Sequence, residues 1–244
     1  MNVVVVSPHL DDAVLSVGAT MRSLSRREVD VQLVTVFAGD PEKEDRASYW
    51  DAKRGLTKKT EVFEARRGED QAAAAVLGVE PVWLPFDDGA YVSRRDPDEI
   101  WARLRPLLYG AAAVLLPGWP LVHADHRFVT AMVMQRLAAT VPILLYAELP
   151  YGARPMSLAR SLLKGRQAAP IAAALGSSLV WRSSWTSAED RAAKRAAVAE
   201  YRGEVAALGL DARLSSLYDS ALRRELLASH PGAEPPALLF GAGQ

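Results

Sequence analysis

The chain contains no cysteine. That absence excludes disulfides, thiolate-held metal sites and cysteine nucleophiles. No sign of charge is in excess either, with 29 Lys plus Arg against 29 Asp plus Glu. Proteins whose main partner is a nucleic acid carry a basic surplus, so no nucleic-acid partner is expected. Long apolar runs are missing as well, because GAAAVLLPGWPLV is interrupted by Pro and Gly well short of membrane-spanning length. The first residues carry neither the basic region nor the apolar segment of a secretory signal. A cytoplasmic protein with no membrane span is the expectation. Two motifs are absent too. The first strand does not lead into G-x-G-x-x-G, which argues against a dinucleotide-binding domain, and no G-x-S-x-G segment supplies a serine nucleophile elbow.

What is present alternates between strand and helix. Short β-branched runs at residues 3–6 and 31–37 (VVVV, VQLVTVF), with others at 82–85, 113–116 and 142–148, read as buried strands. Helical periodicity covers 13–27, 61–77, 97–108, 128–138 and 188–208, with a shorter helix expected over 215–228. Gly78 stops the second of these and Asp96 caps the third. Strands apolar on both faces imply an α/β, Rossmann-like fold, a mostly parallel β-sheet with helices on both faces. One domain over 1–244 is expected, with a core over about 1–200 and a helical C-terminal extension and tail over about 201–244.

Two segments break the pattern of ordinary strand-end turns. The first strand runs into SPHLDD, and the strand near residue 115 leads into LVHADH. Ligands of such sheets bind beyond the carboxyl ends of the strands, so both segments belong to one edge. Between them they hold three of the four histidines, each close to an aspartate. Helix capping accounts for one carboxylate, Asp11 or Asp12, and leaves the rest unexplained.

Imidazole and carboxylate are ligands for borderline divalent metals, and a catalytic zinc takes three protein ligands. His9 and Asp12, three residues apart, with His126 from the distant segment complete such a set. Asp11 then stands beside the metal as general base. His123 is placed to stabilise an oxyanion or deliver a proton to the leaving amine, as an imidazolium, and Asp125 to orient one of the rings.

These residues resemble the PIG-L or LmbE-like N-deacetylases, which carry an (A/S/P)HPDD segment and, about a hundred residues on, an HxDH segment. Here they read SPHLDDA and HADH, with Leu10 and Ala13 where many members have Pro and Glu; a branch of the family reads PHLDDA. The resemblance covers roughly residues 1–200. It implies a Rossmann-like fold, a divalent metal (commonly zinc, with Fe2+ or another ion accepted) and an N-acylated amino-sugar-like small molecule as substrate. By resemblance His9, Asp12 and His126 hold the metal, Asp11 is the base and His123 the acid or electrostatic helper. RRGE followed by AAAAVLG makes Arg66 a candidate for substrate hydroxyls, PFDDG makes Asp88 a candidate sugar contact, and YAELPYG points to Glu148. KRAAVAEY resembles a late family helix whose role is packing.

Two other readings of the same residues stand beside this one. Two His and one carboxylate also form the facial triad of non-haem Fe(II) oxygenases, and a metal-stabilised glycan-binding protein would need no turnover. The polar stretch over 39–60 is long enough to be a lid, and Trp50 within it could stack on a sugar. The basic, half-apolar segment RPMSLARSLLKGRQ is an amphipathic helix or a second flap. Oligomeric state is not legible.

Overall fold

The computed structural model describes residues 1–40, 46–48, 52, 57–92, 94–137, 141–153, 181–207, 225–229 and 237–240. Among them the strands are β1 (Asn2–Ser7), β2 (Asp30–Thr35), β3 (Glu80–Trp83), β4 (Ala113–Trp119), β5 (Ile143–Ala147), β6 (Trp181–Ser183) and β7 (Leu226–Ser229). They form one sheet in the order β3-β2-β1-β4-β5-β7-β6. The first five strands pair in parallel, and β7 and β6 close one side by antiparallel pairing. The helices are α1 (Asp12–Ser25), α2 (Lys59–Leu77), α3 (Pro97–Leu108), α4 (Ala124–Leu137), α5 (Ala188–Glu200) and α6 (Arg202–Ala207).

The valine run of β1 shows why the sheet is covered on both sides. Side chains alternate along a strand, so Val3 and Val5 enter the core beneath α1, α2 and α5, while Val4 and Val6 enter the core beneath α3 and α4. All four are fully buried. The chain winds outward from β1 through β2 to β3, then returns across β1 to β4. The strand order therefore reverses between β1 and β4, and a crevice opens there at the carboxyl ends. SPHLDD follows β1 and HADH follows β4, so both border that crevice.

Gly78 ends α2 in the left-handed conformation (φ 69°) and Asp96 accepts the amides of Asp98 and Glu99 at the start of α3, as expected from sequence. Three expectations need correction. The helix predicted over 188–208 breaks at Tyr201 into α5 and α6. Of the helix expected over 215–228 only the end falls among the described residues, and there the chain forms β7 instead, with Leu227 and Ala228 fully buried between β5 and β6; lateral pairing outweighs local helical preference there. And α4 begins at Ala124, four residues before the predicted start, which puts Asp125 and His126 in its first turn.

Trp50, most of the proposed lid, the segment RPMSLARSLLKGRQ and His230 lie outside the described residues.

Candidate metal centre and active-site cleft

The loop from β1 to α1 is held by Ser7, whose hydroxyl accepts the Ala13 amide (3.0 Å) and donates to the His9 carbonyl (2.6 Å). Ser7 thereby satisfies an amide of the first turn of α1, and Asp11 is released from that task. Although Asp11 occupies the N-cap position, its side chain makes no capping bond. Its backbone lies at φ 120°, ψ −38°, a left-handed conformation costing on the order of 1–3 kcal/mol for a residue with a Cβ. The expectation of an aspartate cap therefore fails for Asp11, a residue that lines the cleft. Asp12 turns back toward His9, accepting the His9 amide at 3.0 Å.

Across the crevice, His123 caps α4 with its ring. Its Nδ1 accepts the Asp125 amide at 3.2 Å, which assigns its proton to Nε2. Burial lowers its pKa first, and the neighbouring His9 and His126 lower it further, to about 4. His123 thus rests as a neutral ring with an Nε2–H to donate, not as the imidazolium expected from sequence.

His9 Nδ1, His126 Nε2 and Asp12 Oδ2 converge on one another. Each nitrogen lies 3.0 Å from the carboxylate oxygen, and the nitrogens are 3.2 Å apart. The far nitrogen of each ring faces a second carboxylate: His9 Nε2 lies 3.0 Å from Asp125 Oδ2, and His126 Nδ1 is in contact with Glu148 Oε1. A ring that gives its one proton to the outer carboxylate turns the lone pair of its inner nitrogen toward Asp12 Oδ2. In that tautomer three lone-pair-bearing atoms face one another, an arrangement that suits a shared cation.

Protons supply that charge where no metal does. Burial lowers the pKa of both rings, but Asp12 with Asp125 (for His9) and Asp12 with Glu148 (for His126) outweigh it and raise both. Burial likewise pushes Asp12 up, and His126 and His9 overcome it to hold the carboxyl well below the usual range. The donor set fits a divalent metal, because ligand atoms around a four-coordinate zinc stand roughly 3.3 Å apart and metals displace such protons. The three imidazoles together form a looser set, with nitrogens within 4.8 Å of one another. The tighter triangle with Asp12 is the better match to one ion.

The supporting carboxylates are themselves anchored. Asp125 Oδ1 accepts from Arg95 Nη1 (2.8 Å), and Oδ2 accepts from the Gly89 amide (3.1 Å). Glu148 Oε2 accepts the Leu121 amide at 2.6 Å. Glu148, expected at a later strand end, therefore braces a histidine from behind. Arg66 and Asp88 both line the cleft, as does Tyr151, whose ring stands edge-on to His126 with centroids 5.9 Å apart. The cleft encloses about 630 Å3, room for a sugar-sized group. Ser7, Arg95 and Tyr151 were not singled out from the sequence. A serine at a strand end carries a weak signal, whereas an arginine in a polar loop and a tyrosine after a proline carry none.

The sequence and the fold have counterparts in known proteins. The family model for PIG-L, described as GlcNAc-PI de-N-acetylase, matches residues 4–137, more than half of the chain and both histidine segments. The chain belongs to the PIG-L family. That family is one of metal-dependent hydrolases. A 2'-N-acetylparomamine deacetylase of Niallia circulans is 26% identical over 181 residues, 60% of this chain and 66% of that enzyme. This PIG-L chain thus spans just under two thirds of that relative's length. Two solved structures share the fold. One is a deacetylase from teicoplanin biosynthesis (TM-score 0.75, 22% identity, covering 94% of this chain and 97% of that one). The other is the A40926 pseudoaglycone deacetylase (TM-score 0.71, 23% identity, covering 93% and 96%). No helix among the described residues is long and apolar enough to cross a membrane.

Proposed function

We propose that this PIG-L chain is a metal-dependent N-deacetylase that hydrolyses the amide of an N-acetylated, amino-sugar-containing small molecule. The observation that carries this reading is the convergence of His9, Asp12 and His126 at a cleft that Asp11 also lines. Zinc is the first choice of metal, and Fe2+ or another divalent ion suits the same donors. A cation bound there acidifies water and polarises the amide carbonyl.

The chain's own residues do the remainder. Asp11, facing the cleft, takes the proton from the attacking water as its oxygen bonds to the amide carbon. The neutral Nε2–H of His123 donates to the charge that develops on the carbonyl oxygen. The C–N bond then breaks, the proton collected by Asp11 passes to the nitrogen, and the amine leaves together with acetic acid, which gives up its own proton to become acetate. Arg66 and Asp88, on the cleft wall, are the candidates for sugar hydroxyls. The relative named as a 2'-N-acetylparomamine deacetylase supports an N-acetylated substrate, and the teicoplanin-pathway and A40926 pseudoaglycone proteins are likewise named as deacetylases.

The test is metal content and acetate release in one preparation. Wild type is expected to hold about one equivalent of zinc or iron and to release acetate from N-acetylated amino sugars, with Asp12→Ala and His126→Ala losing both. A wild type that stays metal-free after reconstitution with zinc overturns the reading. So does a metal-loaded protein that consumes dioxygen in place of releasing acetate.

A further inference from the structure

Resting on the reading of His9 as a metal ligand, we propose that Arg95 is a positioning residue that holds His9 for the metal through Asp125. Arg95 belongs to neither histidine segment. It lies on the loop between β3 and α3, which also presents Asp88 and Gly89 to the cleft wall.

Three observations lead there. The first concerns the Asp125 carboxylate, which is 2% exposed. His9 Nε2 and the Gly89 amide both use Oδ2, at 3.0 and 3.1 Å. Bonds to a single oxygen leave the carboxylate plane free to swing, because its terminal torsion is broad. The bond from Arg95 Nη1 to Oδ1, at 2.8 Å, supplies the second anchor and sets the plane that His9 meets. A ligand histidine is oriented by the acceptor behind it, and the acceptor by its own partners.

The second observation is that Arg95 is itself fixed. Its guanidinium carbon lies 4.2 Å from the centroid of the Phe37 ring and 5.7 Å from that of Phe128. The Phe37 ring in turn stands 5.9 Å from the His9 ring. The guanidinium therefore reaches Asp125 from a rigid aromatic shelf that also borders the histidine.

The third is what this placement sacrifices. Among the described residues, Arg95 Nε and Nη2 are buried atoms with no hydrogen-bond partner. Unmade hydrogen bonds of a buried cation are costly, so fold stability alone does not account for an arginine here. Gly89 belongs to the same arrangement. A Cβ at that position would stand 3.1 Å from Arg95 Nη2 and 3.2 Å from Asp125 Oδ1, tight enough to disturb the pair.

The experiment measures zinc affinity by chelator competition, not turnover, in wild type, Arg95→Met, Asp125→Asn and the double variant, with melting temperatures of the metal-free proteins. Arg95→Met is expected to weaken zinc binding about 10-fold, the low end for groups behind a ligand, and to lower the metal-free melting temperature because it leaves buried Asp125 without its arginine; affinity is therefore measured at a temperature where every metal-free variant is folded. In the Asp125→Asn background the same change should have little further effect, because the path to His9 is already cut. Arg95→Lys, which keeps a cation near Oδ1, should recover part of the loss. Removing a positive charge near a bound cation by itself tightens binding, so unchanged or tighter zinc in Arg95→Met overturns the proposal. A full additional loss in the Asp125→Asn background overturns it too, as does a failure of both Arg95→Met and Arg95→Lys to fold. A wild type that binds no metal refutes the reading of the site itself, and this inference with it; binding that is merely indifferent to Arg95 refutes only the inference.

Discussion

Asp11 and Asp12 are adjacent and chemically identical, yet the backbone sends them to different work. Asp12 folds back onto the His9 amide and presents Oδ2 to both rings. Asp11, at φ 120°, lines the cleft. The division predicts separable losses. Asp11→Asn, which cannot take a proton, should keep zinc within a few-fold of wild type and lose turnover by about 10²- to 10⁴-fold. Asp12→Asn should lose the metal first. Zinc titration beside single-turnover acetate release distinguishes them, and equal metal loss in both variants would refute the division of roles. HLDD announces both carboxylates in the sequence. The different directions in which the two side chains turn depend on Ser7 taking over the cap, a contact between residues that local propensity does not specify.

At the scale of the element, α1 is the least regular part of the site's support. Val17 leaves helical geometry (φ −131°, ψ 24°) and divides the helix in two. The ends created there are capped from far away in the chain. Lys194 Nζ donates to the Ser16 carbonyl (3.1 Å) and to Glu225 (2.6 Å), while Glu225 accepts the amides of Ala19 and Thr20 at 2.9 and 2.7 Å. Burial lowers the Lys194 pKa more than Glu225 raises it. KRAAVAEY thus contributes more than apolar packing: Lys194 repairs the break in α1, and Tyr201 donates to the buried Asp70 at 2.5 Å. Both charges of the Lys194–Glu225 pair are almost completely buried. Lys194→Met should therefore destabilise the fold by about 3 kcal/mol, since it strands a buried carboxylate. Denaturant midpoints measure the change, and a loss near zero would show that the Thr20 and Ala19 contacts suffice. The same Ser16 receives the Leu149 amide on its hydroxyl (3.1 Å), so the break in α1 is tied to the segment that carries Glu148.

For the whole molecule, the proposed metal site predicts a link between metal and stability. Any ion that binds the folded chain alone raises its stability by mass action, about 2.7 kcal/mol at one hundred times the dissociation constant. For a chain of this size that corresponds to roughly 5–10 °C in melting temperature. Adding zinc to metal-free wild type should produce such a rise, reversible by a chelator, and His126→Ala should abolish it. A zinc-independent melting curve would count against the site.

The parallel sheet, the helices on both faces and the meeting of two histidine segments at one sheet edge are all legible in the sequence. Four consecutive valines can only be buried on both faces, and strand–helix alternation orders the sheet in parallel. Where the reading failed, the deciding contacts were lateral or distant. Residues 226–229 became a strand because β5 and β6 offered it hydrogen bonds, and α4 began early because the His123 ring could take the Asp125 amide. The residues and their spacing determined what chemistry this protein could carry: two imidazoles, adjacent carboxylates and an edge to hold them. Only the tertiary structure decided how they divide it. The convergence of His9, Asp12 and His126, and the contacts that Asp125 makes behind His9, depend on distances between groups up to 117 positions apart in the chain, and local sequence pattern does not encode such distances.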